Sequence, residues 1–175
     1  MRNVLLIILF YIICFRTFCQ ENYPVPAKDE KFQFYFQRSC NTNTIVYELN
    51  KLQDGTINCN NPITAHWILY DKGGTTESLN FIQRRAFGLQ SELYDKDKGN
   101  FILHFYSYKK KTLYLIHRED RYRVLIELNS GLAELNKLFI KCENNSLGFP
   151  TKIHYVEISG TDVKTGKTVT EQIKP

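Results

Sequence analysis

Apolar and polar residues alternate over much of this chain, with the period of two that is typical of half-buried β-strands. Residues 32–38 (FQFYFQR) place Phe32, Phe34 and Phe36 on one face of a strand, and residues 121–128 (RYRVLIEL) repeat the pattern with Val124 and Ile126. Similar segments recur toward the C terminus, separated by clusters of Gly, Asn and Asp that favour turns. The pattern predicts about nine or ten short strands.

One segment departs from this alternation. An apolar run that contains the single tryptophan, Trp67, ends before a glycine pair. The residues that follow place Leu79, Ile82 and Ala86 on one face at helical spacing, and Gly88 is typical of a helix end. We therefore predict one helix, over about residues 77–89.

Together these elements predict a mainly β fold, either an antiparallel β-sandwich or a partly closed β-barrel, with the helix packed against it. The content of 12 Phe and 11 Tyr agrees with this, because aromatic side chains favour pleated, half-buried surfaces. The length of 175 residues is typical of one domain.

The N-terminal region has the pattern of an export signal. Arg2 precedes an apolar run over residues 4–15, which is short for a transmembrane helix, and cleavage is expected after Cys19. Residues 1–19 are thus predicted to be a signal peptide, residues 20–31 an extended tether, and residues 32–175 a single β-rich domain. The expected location is periplasmic or secreted, with no transmembrane helix in the mature chain. Lipid attachment at Cys19 is the alternative.

The charge of the chain is too small to indicate a nucleic-acid partner. There are 23 Lys and Arg against 18 Asp and Glu, and removal of residues 1–19 takes away two arginines and no acid, so the net charge falls from +5 to 21 − 18 = +3. The only basic triplet, Lys109 to Lys111, is predicted to lie in an exposed hairpin turn.

Three cysteines remain after the predicted cleavage. Cys40 and Cys59 flank a predicted hairpin and are the candidates for a disulfide, whereas Cys142 lies in an apolar strand and is expected to be buried. The chain contains no CxxC motif and no spacing typical of a zinc site, so we predict neither a metal nor a cofactor.

Several separated motifs resemble one known family. They are Arg38-Ser39-x-Asn41-x-Asn43, Trp67-Ile68, the segment LNFIQRRAFG at residues 79–88, and the closing segment GTDVKTGKTVTE at residues 160–171. Together they resemble the bacterial family called domain of unknown function 4833, over essentially the whole mature domain. The resemblance implies an exported bacterial protein. It transfers no catalytic residue, because no established activity comes with it.

Five residues form the candidate ligand site. Arg38, Asn43, Trp67, Asn80 and Arg84 are expected to form one polar cluster, in which arginines bind an anion, asparagines orient hydroxyl groups and the indole stacks on a ring. The alternative is structural: the cluster fixes the helix to the turn after the first strand, and Trp67 belongs to the core.

No catalytic residues stand out. The chain has no G-x-S-x-G motif, no evident carboxylate pair and no glycine-rich phosphate loop. We therefore favour a binding or interaction module of the bacterial envelope over an enzyme, with a small amphipathic or sugar-like ligand or another envelope protein as its partner. The alternatives are a hydrolase that acts on envelope or extracellular polymers, and a structural envelope component.

Overall fold

The computed structural model describes residues 23–144 and 150–174, so the predicted signal peptide, residues 1–19, lies outside the described residues. The described residues form one α-helix, α1 (Phe81–Phe87), and eleven β-strands. The strands are β1 (Phe32–Arg38), β2 (Asn41–Leu49), β3 (Ile63–Leu69), β4 (Thr75–Ser78), β5 (Leu89–Asp95), β6 (Asn100–Phe105), β7 (Leu113–Arg118), β8 (Arg121–Leu128), β9 (Gly131–Asn144), β10 (Pro150–Asp162) and β11 (Thr168–Ile173).

The long strand β9 joins two halves of one sheet. The strand order is β4-β3-β2-β1-β9-β8-β7-β6-β5, and β10 pairs with β9 along its length and with β11 on its own other edge. The second half of β9 pairs in parallel with β1, with Leu138 beside Phe36, while its first half pairs antiparallel with β8, with Ala133 beside Ile126. Because β10 occupies one edge of β9, both β1 and β8 lie along the other edge.

The sheet therefore curls, and the half that contains β1 to β4 faces the half that contains β5 to β8. The result is a mainly β, open half-barrel with one helix, which confirms the predicted fold class. The strand β1 spans the residues that the alternation predicts.

Aromatic side chains fill the space between the two halves. The rings of Phe34 and Tyr47, paired across β1 and β2, stack with centroids 4.3 Å apart, and Phe105 from the opposite half meets both rings edge-on. Tyr47 is fully buried, and its hydroxyl donates a hydrogen bond of 2.7 Å to the carbonyl oxygen of Phe87. This bond satisfies a buried polar group and connects the core to the end of α1.

The helix is shorter and more exposed than the sequence predicts. The helix predicted over residues 77–89 begins only at Phe81, because residues 75–78 pair with the C-terminal half of β3 as strand β4. Asn80 is the N-cap residue instead, and α1 contains no buried residue. Ile82, which the helical spacing assigns to the packed face, is 76% exposed.

The strand β9 is continuous, although the helical spacing of Leu132, Leu135 and Leu138 predicts a short turn before a strand that begins at Lys137. Pairing with β10 keeps residues 133–144 extended. At the register shift between Ser159 and Gly160, β9 contains one more residue than β10. A Cβ atom at Gly160 would lie 2.6 Å from the carbonyl oxygen of Glu134, so only glycine allows the two backbones to approach this closely.

The predicted tether packs against the domain through its first described residues, Tyr23 and Pro24, whereas residues 27–31 are exposed. Gln37 donates a hydrogen bond of 2.6 Å to the carbonyl oxygen of Pro24, and the Tyr23 hydroxyl donates one of 3.1 Å to the carbonyl oxygen of Ser39. The Tyr23 ring also lies 5.2 Å from that of Phe139. These contacts cover the outer face of β1, which explains why Gln37 is buried.

At the far edge, Glu171 of β11 connects two turns, the one between β6 and β7 and the one between β8 and β9. Its carboxylate accepts hydrogen bonds from Lys111 Nζ at 2.9 Å and from the backbone N–H of Asn129 at 2.7 Å. Lys111 also donates to the carbonyl oxygen of Glu127 at 3.1 Å, so this member of the basic triplet is paired rather than only solvated. Burial raises the pKa of Glu171, but the Asn129 and Lys111 interactions outweigh it, and the net pKa lies below the usual 4.5.

We expect Glu171→Gln to lower the free energy of unfolding by about 1 kcal/mol at neutral pH, after a discount for solvent screening. Because the folded-state pKa is lowered, this contribution is fully present above the unfolded-state pKa and is lost as the pH falls through the folded-state pKa. Urea unfolding of both proteins between about pH 7 and pH 2 measures it. The exposed Glu92→Gln is the control, and a stability difference for Glu171→Gln that persists in acid would contradict the assignment.

Candidate functional site

The structure brings two of the five predicted site residues together. The Arg38 guanidinium lies 5.2 Å from the Trp67 ring and 5.7 Å from the ring of Phe87, which ends α1. Phe36 also contacts Phe87, with ring centroids 5.1 Å apart. Arg38 thus covers one end of the aromatic core, where cation–π contacts hold its planar group in place.

Several polar atoms of this arginine–aromatic cluster are closed to solvent. Trp67 is 5% exposed, as expected of a core residue. Three polar atoms are buried and have no hydrogen-bond partner in the described residues. They are Trp67 Nε1, Arg38 Nε and the Oδ1 atom of Asn41, the residue paired with Arg38. A ligand at the surface does not reach these atoms, so the cluster fits the structural alternative better than an open site.

Two other predicted residues have local partners. Asn43 donates a hydrogen bond of 2.9 Å to the carboxylate of Asp71, and its carbonyl oxygen accepts one from the Asp71 N–H at 3.3 Å. The Asn80 side chain accepts from the backbone N–H of Gln83, and the Gln83 side chain accepts from the backbone N–H of Asn80, both at 2.9 Å. Asn43 therefore fixes the turn after β3, and Asn80 forms a capping box at the start of α1.

The fifth predicted residue, Arg84, lies at an open groove. Its Nε donates a hydrogen bond of 2.9 Å to the carbonyl oxygen of Leu79, the buried residue before the cap. Among the described residues, no hydrogen bond or ion pair involves its two terminal nitrogens. The local bond thus fixes the plane of the guanidinium and leaves its paired donors available, which is the arrangement that binds a carboxylate in a bidentate way.

We call this feature the seam groove, because it lies where the curled sheet fails to close. One wall is the start of β3, where residues 63–65 lack a partner strand on the edge that β4 covers further along. The opposite wall is the start of β5, the last strand on the other side of the sheet. The groove has a volume of about 1180 Å³ and is lined by Asn60, Asn61, Ile63, Thr64, Ala65, His66, Ser78, Leu79, Phe81, Arg84, Arg85, Gly88, Leu89, Gln90, Ser91 and Tyr106.

The lining of the seam groove is basic and aromatic. It includes two arginines and a histidine but neither Asp nor Glu. Phe81 is 70% exposed, and the Arg85 guanidinium lies 4.7 Å from its ring centroid. Tyr106 is a second exposed ring at the groove. The seam groove thus presents exposed rings beside guanidinium donors that are open to solvent.

Sequence reasoning missed Phe81, Arg85 and Tyr106 as site residues. The helical spacing assigned Phe81 to the packed face, and Tyr106 appeared only as part of a strand. A usable signal was present, since the adjacent Arg84 and Arg85 place two positive charges on one short segment.

The cysteines are arranged differently from the prediction. Cys40 does not approach Cys59, because the extended strand β2 separates the turn that holds Cys40 from the hairpin that holds Cys59. Cys59 is exposed, with its sulfur near the carbonyl oxygen of Ile57. Cys142 is buried as predicted, and its sulfur lies 3.1 Å from that of Cys40.

Metal-binding groups and membrane-spanning helices are both absent from the part of the chain that the structure describes. No group of three or more His, Cys, Asp or Glu side chains in residues 23–144 and 150–174 is placed to hold a metal ion. In the same residues, no helix has the length and apolar character needed to cross a membrane.

Comparison with known proteins gives one match. Residues 34–172 match the family described as Domain of unknown function (DUF4833). No curated protein and no solved structure matches the chain.

The capping role of Asn80 has a direct test. We expect Asn80→Ala to lower the free energy of unfolding by about 1 kcal/mol, because the backbone N–H of Gln83 loses its capping partner. Asn80→Ser should retain most of the stability, since serine is also a good N-cap residue. Urea unfolding of the three proteins measures the effect, and equal losses in both variants would argue against a capping role.

Proposed function

The chain belongs to the DUF4833 family, whose description states no activity, and we propose from the geometry of the seam groove that it is a binding module for an acidic, sugar-like ligand. We further propose that it acts outside the cytoplasm after removal of residues 1–19. The intact mass of the protein recovered from expressing cells tests the cleavage, and a mass that retains residues 1–19 would exclude it.

The orientation of Arg84 is the observation that carries the proposal. An arginine side chain in solution loses conformational freedom when it binds a ligand, which weakens binding. Here the bond from Nε to the Leu79 carbonyl oxygen has already restricted the guanidinium. The absence of acidic side chains from the groove lining leaves the charge of Arg84 and Arg85 uncompensated there, which favours an anionic ligand.

The remaining lining residues favour a carbohydrate as the source of that anion. The exposed rings of Phe81 and Tyr106 offer flat apolar faces for the C–H face of a sugar. Asn60, Asn61 and Gln90 supply amides that both donate and accept, as hydroxyl groups require. The open shape between two strand edges fits an elongated oligomer better than a compact molecule.

Calorimetric titration with a galacturonic acid tetramer tests the proposal. We expect binding by the wild type, and a Kd increased roughly tenfold to hundredfold in Arg84→Gln, because a hydrogen bond to a charged group is lost. The Kd of Arg84→Lys should lie between those two values, since an ammonium group keeps the charge but lacks the paired donors of a guanidinium. The matched control is Arg118→Gln, which removes a positive charge outside the groove lining.

The choice of ligands separates the alternatives. A neutral glucose tetramer should bind far more weakly than the uronic acid, and tighter binding of tetraglutamate would indicate an acidic polypeptide instead. If the protein is a hydrolase, the mass spectrum of the titrated oligomer will show shorter products. If no acidic oligomer binds, or if Arg84→Gln binds as the wild type does, the binding proposal fails and a structural role is favoured.

A further inference from the structure

Two cysteines that are far apart in sequence meet at the end of the parallel strand pair. Cys40 and Cys142 are separated by 102 positions, yet their sulfur atoms lie 3.1 Å apart. Cys40 follows β1 in the turn to β2, and Cys142 lies near the end of β9. Cys142 is buried and Cys40 is partly buried.

The strand register explains this meeting. Arg38 of β1 lies beside Ile140 of β9 in parallel, so a step of two residues along both strands reaches Cys40 and Cys142. The backbone N–H of Ser39 donates to the carbonyl oxygen of Ile140 at 2.9 Å, which continues the pairing beyond β1. Neighbouring strands lie about 4.7–4.9 Å apart, within the range of Cα separations that a disulfide requires.

Ser39 holds the backbone of Cys142 in this position. Its hydroxyl donates to the Cys142 carbonyl oxygen and accepts from the Cys142 N–H, both at 2.9 Å. The backbone on both sides of the pair is thus fixed by hydrogen bonds, and closing the bond requires only a small movement of the two side chains.

We propose that Cys40 and Cys142 are a disulfide-forming pair that cross-links the β1–β2 turn to β9. In the reaction, an external disulfide accepts the two electrons: one thiolate attacks it to give a mixed disulfide, and the second cysteine displaces the remaining external thiol. Two thiols and one external disulfide are thereby converted into one protein disulfide and two external thiols. Cys59 stays reduced.

Burial raises the pKa of Cys142, and its hydrogen bond with Cys40 raises it further, so at neutral pH this thiol is mostly protonated and reacts slowly with oxygen. The test therefore supplies a disulfide oxidant. Purified full-length protein is incubated under native conditions with glutathione disulfide, the remaining thiols are alkylated, and tryptic peptides are mapped without reduction.

The sequence makes this map unambiguous. Trypsin places the five cysteines on five different peptides, which are residues 3–16, 17–28, 39–51, 52–72 and 142–152. We expect residues 39–51 joined to residues 142–152, with Cys59 alkylated. The melting temperature should rise by roughly 5–15 °C on oxidation, because the bond closes a long loop.

Three variants complete the test. Cys59→Ser should form the same cross-link and show the same rise in melting temperature, whereas Cys40→Ser and Cys142→Ser should show neither. A cross-link between residues 39–51 and 52–72, or complete alkylation of both Cys40 and Cys142 after incubation, would overturn the proposal. Denatured wild type that is refolded in a glutathione redox buffer should contain the same cross-link, and its absence would also overturn the proposal.

Discussion

The edge of β9 that β1 and β8 share is the constraint on which the rest of the structure depends. A strand edge offers hydrogen bonds to one neighbour at each position, so β1 takes the second half in parallel and β8 takes the first half antiparallel. One half of the sheet therefore extends from β1 and the other from β8. The two halves bury their apolar sides by facing each other. The curl stops before β3 and β5 meet, and the seam groove is the space that remains.

The helix is positioned by its ends rather than by an apolar face. Buried Leu79 precedes it, and Phe87 at its last turn packs against Trp67 and accepts the hydrogen bond from Tyr47. Ser107, after β6, donates to the carbonyl oxygen of Ala86 at 2.6 Å. A short helix held in this way can expose Phe81 and two arginines to solvent without loss of packing, which is what a binding surface requires.

The sequence pattern predicted those elements whose conformation depends on local interactions. The alternation in residues 32–38 predicts β1, and the chain ends in the expected hairpin of β10 and β11. The pattern failed where a distant partner decides the conformation. Residues 75–78 pair with the exposed edge of β3, and residues 133–144 stay extended because β10 lies along them. Sequence spacing likewise indicated Cys59 as the disulfide partner of Cys40. The parallel pairing that brings Cys142 to Cys40 joins residues 102 positions apart and cannot be predicted from local pattern.

The candidate site follows the same rule. Arg84 was identified from its residue type and helical context, whereas the partners of the other predicted residues depend on the fold: Arg38 packs on Trp67, and Asn80 caps its own helix. The Arg84 guanidinium is oriented by the hydrogen bond from its Nε to the carbonyl oxygen of Leu79, five residues earlier. A cross-link between Cys40 and Cys142 lies outside the lining of the seam groove and constrains the unfolded chain. It should therefore change stability much more than affinity, and the two proposals stand or fall separately.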